Sequence, residues 1–334
     1  MNLNIQSLLL CVVMGVNIAH AVDSSSQHLT KSTEYRELLR HTVQPALTAK
    51  GMLVENILLG STGLPTGTQV RSECIVTWSG DPVHRWGCQK KNPNYDRPVQ
   101  YVPPQGAHSL DHTPDGDLVL HRWSEMSVLG TASGVFLMET RESARIAPDN
   151  TVRSVGHSRS ITAQHTQGVV WAEFLRIATG RISETVLRAV QQIQRLPDGK
   201  LLITTAPTGT SLRWQLWVAP EDHWLIRRAE AQDAHGTTLF TVETLGTLRD
   251  EQSGLVIAAK AQISSAPLKI SVQYTECSPK ADLALLNALH LATSDKSATV
   301  SDCRTGDTGS KCDAMQTRPI EHPLRQRCCA DCKE

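Results

Sequence analysis

The chain has 334 residues, with 33 basic and 33 acidic side chains, 40% apolar and 4% aromatic residues. A formal net charge of zero supplies none of the clustered, uncompensated Lys and Arg that a nucleic-acid backbone or an anionic bilayer requires, so nucleic acid is not an expected partner. The apolar fraction suffices for a packed core, and beyond the N-terminal segment no stretch approaches the ~20 apolar residues of a membrane span, so no transmembrane helix is expected in the mature chain.

Residues 1–21 contain no Lys, Arg, Asp or Glu, and an apolar run over 8–16 ends near Ala19-His20-Ala21, a small-x-small cleavage pattern. Although the positive leading segment is missing, this predicts a secretory signal peptide over 1–21 and a location in the periplasm or cell envelope. Cys11 follows Leu10, which is larger than a lipoprotein cleavage site accepts. Export leaves eight cysteines in an oxidising compartment where they can pair. Cys74, Cys88 and Cys277 lie in the body at 22–302; Cys303, Cys312, Cys328, Cys329 and Cys332 crowd into 303–334, a polar tail or small stapled appendage.

In chain order, Ser32, Glu34 and Glu37 with Tyr35, Leu38 and Leu39 on one face predict a helix over 33–41, ended by Pro45. Residues 51–67 read as an irregular connection. Strands over 69–78 and 84–90, around the turn Ser79-Gly80-Asp81-Pro82, make a hairpin. If its turn centres on Asp81, Cys74 faces Cys88, and a cross-strand disulfide would close a loop of about 15 residues, worth about 3 kcal/mol before strain. A one-residue bulge would instead put two unpaired thiols on opposite faces. Pro93, Pro98, Pro103, Pro104 and Pro114 predict a long surface loop over 92–114. Strands follow at 117–123 and 134–142, and 150–168 is polar and unassigned.

Val170, Phe174 and Ile177, with Trp171 and Leu175 alongside and Gly180 as a stop, predict a helix over 169–179. A hairpin over 186–205 and five strands, at 212–219, 225–233, 237–247, 255–264 and 269–276, then make one antiparallel sheet. A short helix or coil spans 279–291. The fold class is α+β: a curved antiparallel meander, open as a half-barrel, over a core supplied by helices, plus a Cys-rich C-terminal tail.

The run "LRWQLWVAPEDHWLIRRAEAQDAHGTTLFTVETLGTLRDEQSGLVIA" sets a Trp-rich strand, a Pro-acidic turn, a basic strand and two glycine turns in a recognisable rhythm. It resembles the outer-membrane lipoprotein-sorting and lipoprotein-carrier superfamily, in which an unclosed antiparallel half-barrel wraps helices around an apolar cavity. The resemblance covers about residues 31–302, is strongest over 200–264, and points to an uncharacterised exported branch such as that of planctomycete-like bacteria. The length, the proline-rich loop and the cysteine tail depart from the carriers of enteric bacteria. In a carrier, Trp171, Trp214, Trp217 and Trp224 would line an acyl-binding cavity; ordinary core packing is the alternative for each.

None of the common catalytic or nucleotide-binding motifs occurs. The Gly60-Ser61-Thr62-Gly63 segment lacks the lysine of a phosphate loop. His108, Asp111 and His112 offer metal-ligand types, but between Pro104 and Pro114 they read as a solvated loop. Cys328-Cys329-Ala330-Asp331-Cys332 reads as structural disulfides before a metal or redox site. The expectation is therefore a non-enzymatic exported protein, without cofactor or metal, that binds a lipid or acyl chain in a concave face. The alternatives are an envelope module that binds a protein partner and carries a stapled tail, and an exported metal or redox protein using that tail. The connectivity of the remaining cysteines, the ligand, the oligomeric state and the envelope layer stay open.

Overall fold

A computed structural model describes residues 33–302, apart from 43–45, 58–66, 80–84, 98–99, 104–111, 132–133, 165–169, 182–188, 208–212, 266–267 and 296. The expected signal peptide and cysteine tail lie outside the described residues. The first helix, α1 (Thr33–Thr42), is followed by β1 (Leu47–Ile57), β2 (Gln69–Ser79), β3 (Arg85–Tyr95), β4 (Leu118–Thr131), β5 (Gly134–Ile146) and β6 (Val152–Gln164). After α2 (Val170–Ala178) come β7 (Val190–Arg195), β8 (Leu201–Thr205), β9 (Arg213–Ala219), β10 (Leu225–Gln232), β11 (Thr238–Leu245), β12 (Leu248–Arg249), β13 (Val256–Ile257), β14 (Lys260–Ser265) and β15 (Leu268–Ser278). Helix α3 (Leu283–Ala292) and β16 (Thr299–Asp302) complete the described chain.

Fourteen strands form one open sheet in the order β16-β6-β5-β4-β3-β2-β1-β15-β14-β11-β10-β9-β8-β7, while β12 and β13 pair separately. Every pairing within the described large sheet is antiparallel except β16 on β6, which is parallel. Two meanders, β1 to β6 and β7 to β15, therefore meet at a seam where β1 runs against β15. The period-2 alternation of a half-buried strand orients each face. In β2, for example, Val70, Ser72, Cys74 and Val76 are buried while Arg71 and Glu73 are not.

Helix α2 packs on the inner face because Phe174, Leu175 and Ile177 are apolar at helical spacing and are each 1 to 2% exposed. Phe174 meets Trp214 edge-on at 5.8 Å and Phe240 at 4.6 Å. The buried Tyr274 hydroxyl donates to the Leu175 carbonyl at 2.8 Å, tying β15 to the helix. The opposite face carries α3, which starts at the Asp282 cap accepting from Leu285 N and places Leu286 and Leu289 on a second cluster with Leu129, Phe136, Met138, Ile161 and Val300. Sequence reading did not separate helices by face; here α3 covers the face around Leu129, Phe136 and Ile161, while the start of β6 stays exposed, with Val152 at 60% and Val155 at 56%.

The expected helices and the meander of five strands are present, and four readings change. The 51–67 connection contains most of β1, which is held as a strand by pairing with β2 on one side and β15 on the other; the extra residue at the Lys50/Gly51 register shift lies on β15. The polar 150–168 segment is largely β6, stabilised by pairing with β5 and β16 rather than by its own apolar content. The proline-rich loop begins later than expected, since β3 continues through Pro93 to Tyr95, with Asn92 left-handed at φ 54°. The hairpin register also changes: Cys74 faces Lys90 and Cys88 faces Val76, so the ladder centres on Pro82 rather than Asp81. A two-residue offset keeps both cysteines on one face but removes them from direct opposition, and both are buried.

Candidate functional site

The inner face is the chemically distinct surface of this fold. Leu53 and Val76 from the first meander join Ile203, Leu216, Val242, Ile263 and Val272 from the second in one apolar cluster with α2 and with Leu38 of α1. These strands bring together residues far apart in the chain, as in the pair Leu53 and Val272, 219 positions apart.

Of the four tryptophans expected at a binding surface, Trp214 and Trp224 pack with the main apolar cluster and Trp217 lies on the other face of β9. Trp214 points inward, 2% exposed, against Phe174. Trp217 alternates to the other face of β9, where the Arg228 guanidinium lies 5.5 Å from its ring. Trp224 sits at the rim with φ 59° and stacks on His41, at the end of α1, at 4.9 Å. The Trp171 side chain lies outside the described ones.

Arg181, unremarked in the sequence, is the polar hub of the rim. Immediately beyond Gly180 it is 8% exposed, and its guanidinium donates to the carbonyls of Val256 at 2.6 Å and of His41 and His223 at 3.1 Å. Burial brings its pKa down to about 10, so it remains charged at neutral pH. One guanidinium thus joins the C-terminal end of α1, the turn before β10 and β13. The only sequence signal was its place after a helix stop.

Towards β3 to β5 the same face becomes charged. Lys90, on the inward alternation after Cys88, is buried, reaches Glu55 at 2.9 Å and lies 4.5 Å from the centre of the Trp123 ring. Arg141 and Glu139 pair at 2.6 Å nearby on β5. The period-2 pattern of β3 could have flagged Lys90, had its burial been visible.

Burial pushes the Cys74 thiol up to about 12 and also raises Cys277, which Asp250 raises further, so both stay protonated at neutral pH. His112 is engaged in its loop, with Nε2 at 2.7 Å from the Val102 carbonyl and its ring edge-on to Tyr101. Its sequence neighbours His108 and Asp111 lie outside the described residues. No group of three or more metal-ligand side chains occurs among the described residues, and no described helix is long and apolar enough to cross a membrane.

Solved structures of the kind named by the sequence resemblance are similar to this chain. A putative outer membrane lipoprotein-sorting protein domain from Vibrio parahaemolyticus matches at a TM-score of 0.35 and 7% identity, covering 76% of this chain and 93% of that one. A DUF1329 family protein from Desulfovibrio piger matches at 0.34 and 10% identity, covering 81% and 99%. A LolA superfamily protein from Nitrosomonas europaea matches at 0.34 and 10%, covering 76% and 93%. No protein-family model matches the chain, and no curated protein matches it by sequence.

Proposed function

We propose that this is an exported, non-enzymatic binding protein of the periplasm or envelope that holds the apolar part of a lipid or acyl chain against the inner face of the open sheet. The observation supporting the reading is that a continuous apolar surface from both meanders is covered by short helices rather than by a second sheet. Of these, α1 contributes the fully buried Leu38 while its partner Leu39 is 41% exposed, so a single turn of apolar contact seats it. Displacing that cover would open apolar surface, and burying a ligand there would gain about 25 cal/mol per Å² without covalent chemistry.

The test is mass spectrometry of organic extracts from gently purified protein, joined to titration with a fluorescent fatty acid. Stoichiometric uptake, lost on Trp214→Asp in a folded variant and retained in Trp217→Asp, is the expected result. Equal effects of both substitutions, or no uptake, would overturn it, because the two side chains lie on opposite faces of β9.

A further inference from the structure

Helix α3 is apolar on both of its faces. Eight of its ten residues, LALLNALHLA, are Leu or Ala. One face seats it on the sheet, with Leu286 fully buried and Leu289 4% exposed against Leu129, Phe136 and Ile161. A surface helix that packs on one side is polar on the other. The outward stripe of α3 is instead Leu283, 54% exposed, Asn287, and Leu291, 73% exposed, at i, i+4 and i+8, with exposed Ala284 and Ala288 alongside. Leu291 is the most exposed large apolar side chain among the described residues.

This stripe is complementary to itself. A two-fold axis through Asn287 that runs a second α3 antiparallel to the first sets Leu283 of each copy against Leu291 of the other, because the two leucines lie four residues to either side of the axis. Ala284 and Ala288 put no bulk beyond Cβ between the helices, so the two axes can approach to about 8 Å, the lower end of helix packing. Asn287 supplies one polar pair at the centre. Its Oδ1 accepts from Arg85 Nη1 at 3.2 Å and has a second lone pair, which the amide nitrogen of the other copy's Asn287 can fill, and the exchange is reciprocal. A single asparagine in an otherwise apolar helix contact fixes the register and the number of copies.

Charge selects both the direction and the occupant. Exposed Lys280 precedes α3 and Asp295 follows it, and Asp295 keeps 27% of its side chain exposed while holding Arg159 at 3.0 Å. Antiparallel copies set Lys280 towards Asp295 twice, whereas parallel copies set like charges together. An anionic bilayer draws in helices rich in Lys and Arg, but residues 280–295 carry one Lys against two Asp. We propose that the outward face of α3 is a homodimer interface, on which two copies of this chain pack antiparallel along Leu283, Asn287 and Leu291. It lies across the sheet from the apolar inner face and is independent of the ligand reading.

The test is sedimentation velocity of the full chain from about 1 µM to about 300 µM, in a reducing buffer so that cysteine cross-links do not count. A ten-residue helix is about 15 Å long, which gives an interface at the small end, so the expected result is a reversible dimer with a dissociation constant of about 1–100 µM. Leu283→Glu and Leu291→Glu should each weaken it at least ~10-fold. Leu245→Glu, also 54% exposed but on β11, should leave it unchanged. Asn287→Asp, which sets two carboxylates face to face at the axis, should weaken it without any change in apolar area. All four side chains are exposed, and far-ultraviolet circular dichroism checks that each variant is folded. A chain that stays monomeric at about 300 µM, a dimer that Leu283→Glu and Leu291→Glu leave intact, or a monomer that binds phosphatidylglycerol vesicles through Leu291 would each overturn the assignment.

Discussion

Replacing Gly51 with alanine perturbs the seam between the two meanders at one atom. A Cβ at this position would sit 2.1 Å from the Gln273 carbonyl oxygen and 2.7 Å from the Tyr274 Cα, both backbone atoms of β15 that no side-chain rotation can move aside. Regaining ordinary contact at 3.4 Å from the oxygen requires β1 and β15 to part locally by about 1.3 Å. An N–H···O bond of about 2.9 Å stretched that far is broken. Losing two ladder bonds at about 1 kcal/mol each, with polar groups left poorly satisfied, gives a destabilisation of about 3–5 kcal/mol. Urea unfolding followed by far-ultraviolet circular dichroism measures it, with two controls. Gly156→Ala meets nothing within 4 Å and should stay within about 0.5 kcal/mol of the parent. Gly87→Ala crowds the tips of Leu289 at 2.9 Å and Leu286 at 3.1 Å, flexible ends that can shift, with the Val128 carbonyl oxygen at an ordinary 3.6 Å, and should cost about 1–2 kcal/mol. A Gly51→Ala protein no less stable than Gly156→Ala would refute the bulged β1–β15 register.

Arg181→Leu should cost about 3–5 kcal/mol in the same assay, since three carbonyls lose a charged donor, and limited proteolysis should then cut α1 first; unchanged proteolysis would show that Arg181 does not hold that helix. Removing one member of the buried Lys90–Glu55 pair by Lys90→Ala should cost about 3–5 kcal/mol, whereas the double change Lys90→Met with Glu55→Leu should recover most of the loss, as a double-mutant cycle will measure. Alkylation of the native chain at pH 8 should leave Cys74 and Cys88 unlabelled until unfolding; non-reducing peptide mapping that finds them joined would refute the register of β2 and β3. The folded Cys74 thiol keeps its proton to about 12 against an ordinary 9.0, so the folded state binds more protons above pH 9 and its stability falls as pH rises from there. Cys74→Ala should make that alkaline decline shallower in denaturant titrations at pH 8 to 11, and an unaltered slope would refute the burial of the thiol.

What was legible in the sequence followed from local pattern. Phe174 and Ile177 at helical spacing before Gly180, and the evenly spaced turns from Pro220 to Gly254, announce α2 and the second meander because each element carries its own periodicity. β1 and β6 do not, as their stability comes from partners on both sides: β1 lies between β2 and β15, and β6 between β5 and β16. The resemblance drawn from 200–264 anticipated an unclosed antiparallel sheet with a helix on its face. It did not place the helix expected over 279–291 on the opposite face, nor the bulges near Asn92 and Ser124 where β3 and β4 cease to pair. The tryptophans illustrate the same boundary. Alternation within β9 shows that Trp214 and Trp217 must diverge, but which of them turns inward is decided by Phe174 and Phe240, which are distant in sequence.

The seam also dictates the order in which this molecule can assemble. Joining Leu53 to Val272 closes a loop of 219 residues, whose entropy cost grows as (3/2)RT ln n and comes to roughly 5 kcal/mol beyond a constant. Neighbouring strands within each meander close loops far shorter than that and repay their cost sooner, so the two halves should form first and dock last. During synthesis the first meander emerges with the inner edge of β1 unpaired, an 11-residue template for any other strand, and it stays so until β15 has been made. The pairing that makes the sheet continuous is therefore also the point at which a nascent chain is most open to misassembly, and a helper protein that shields an unfinished strand would act there.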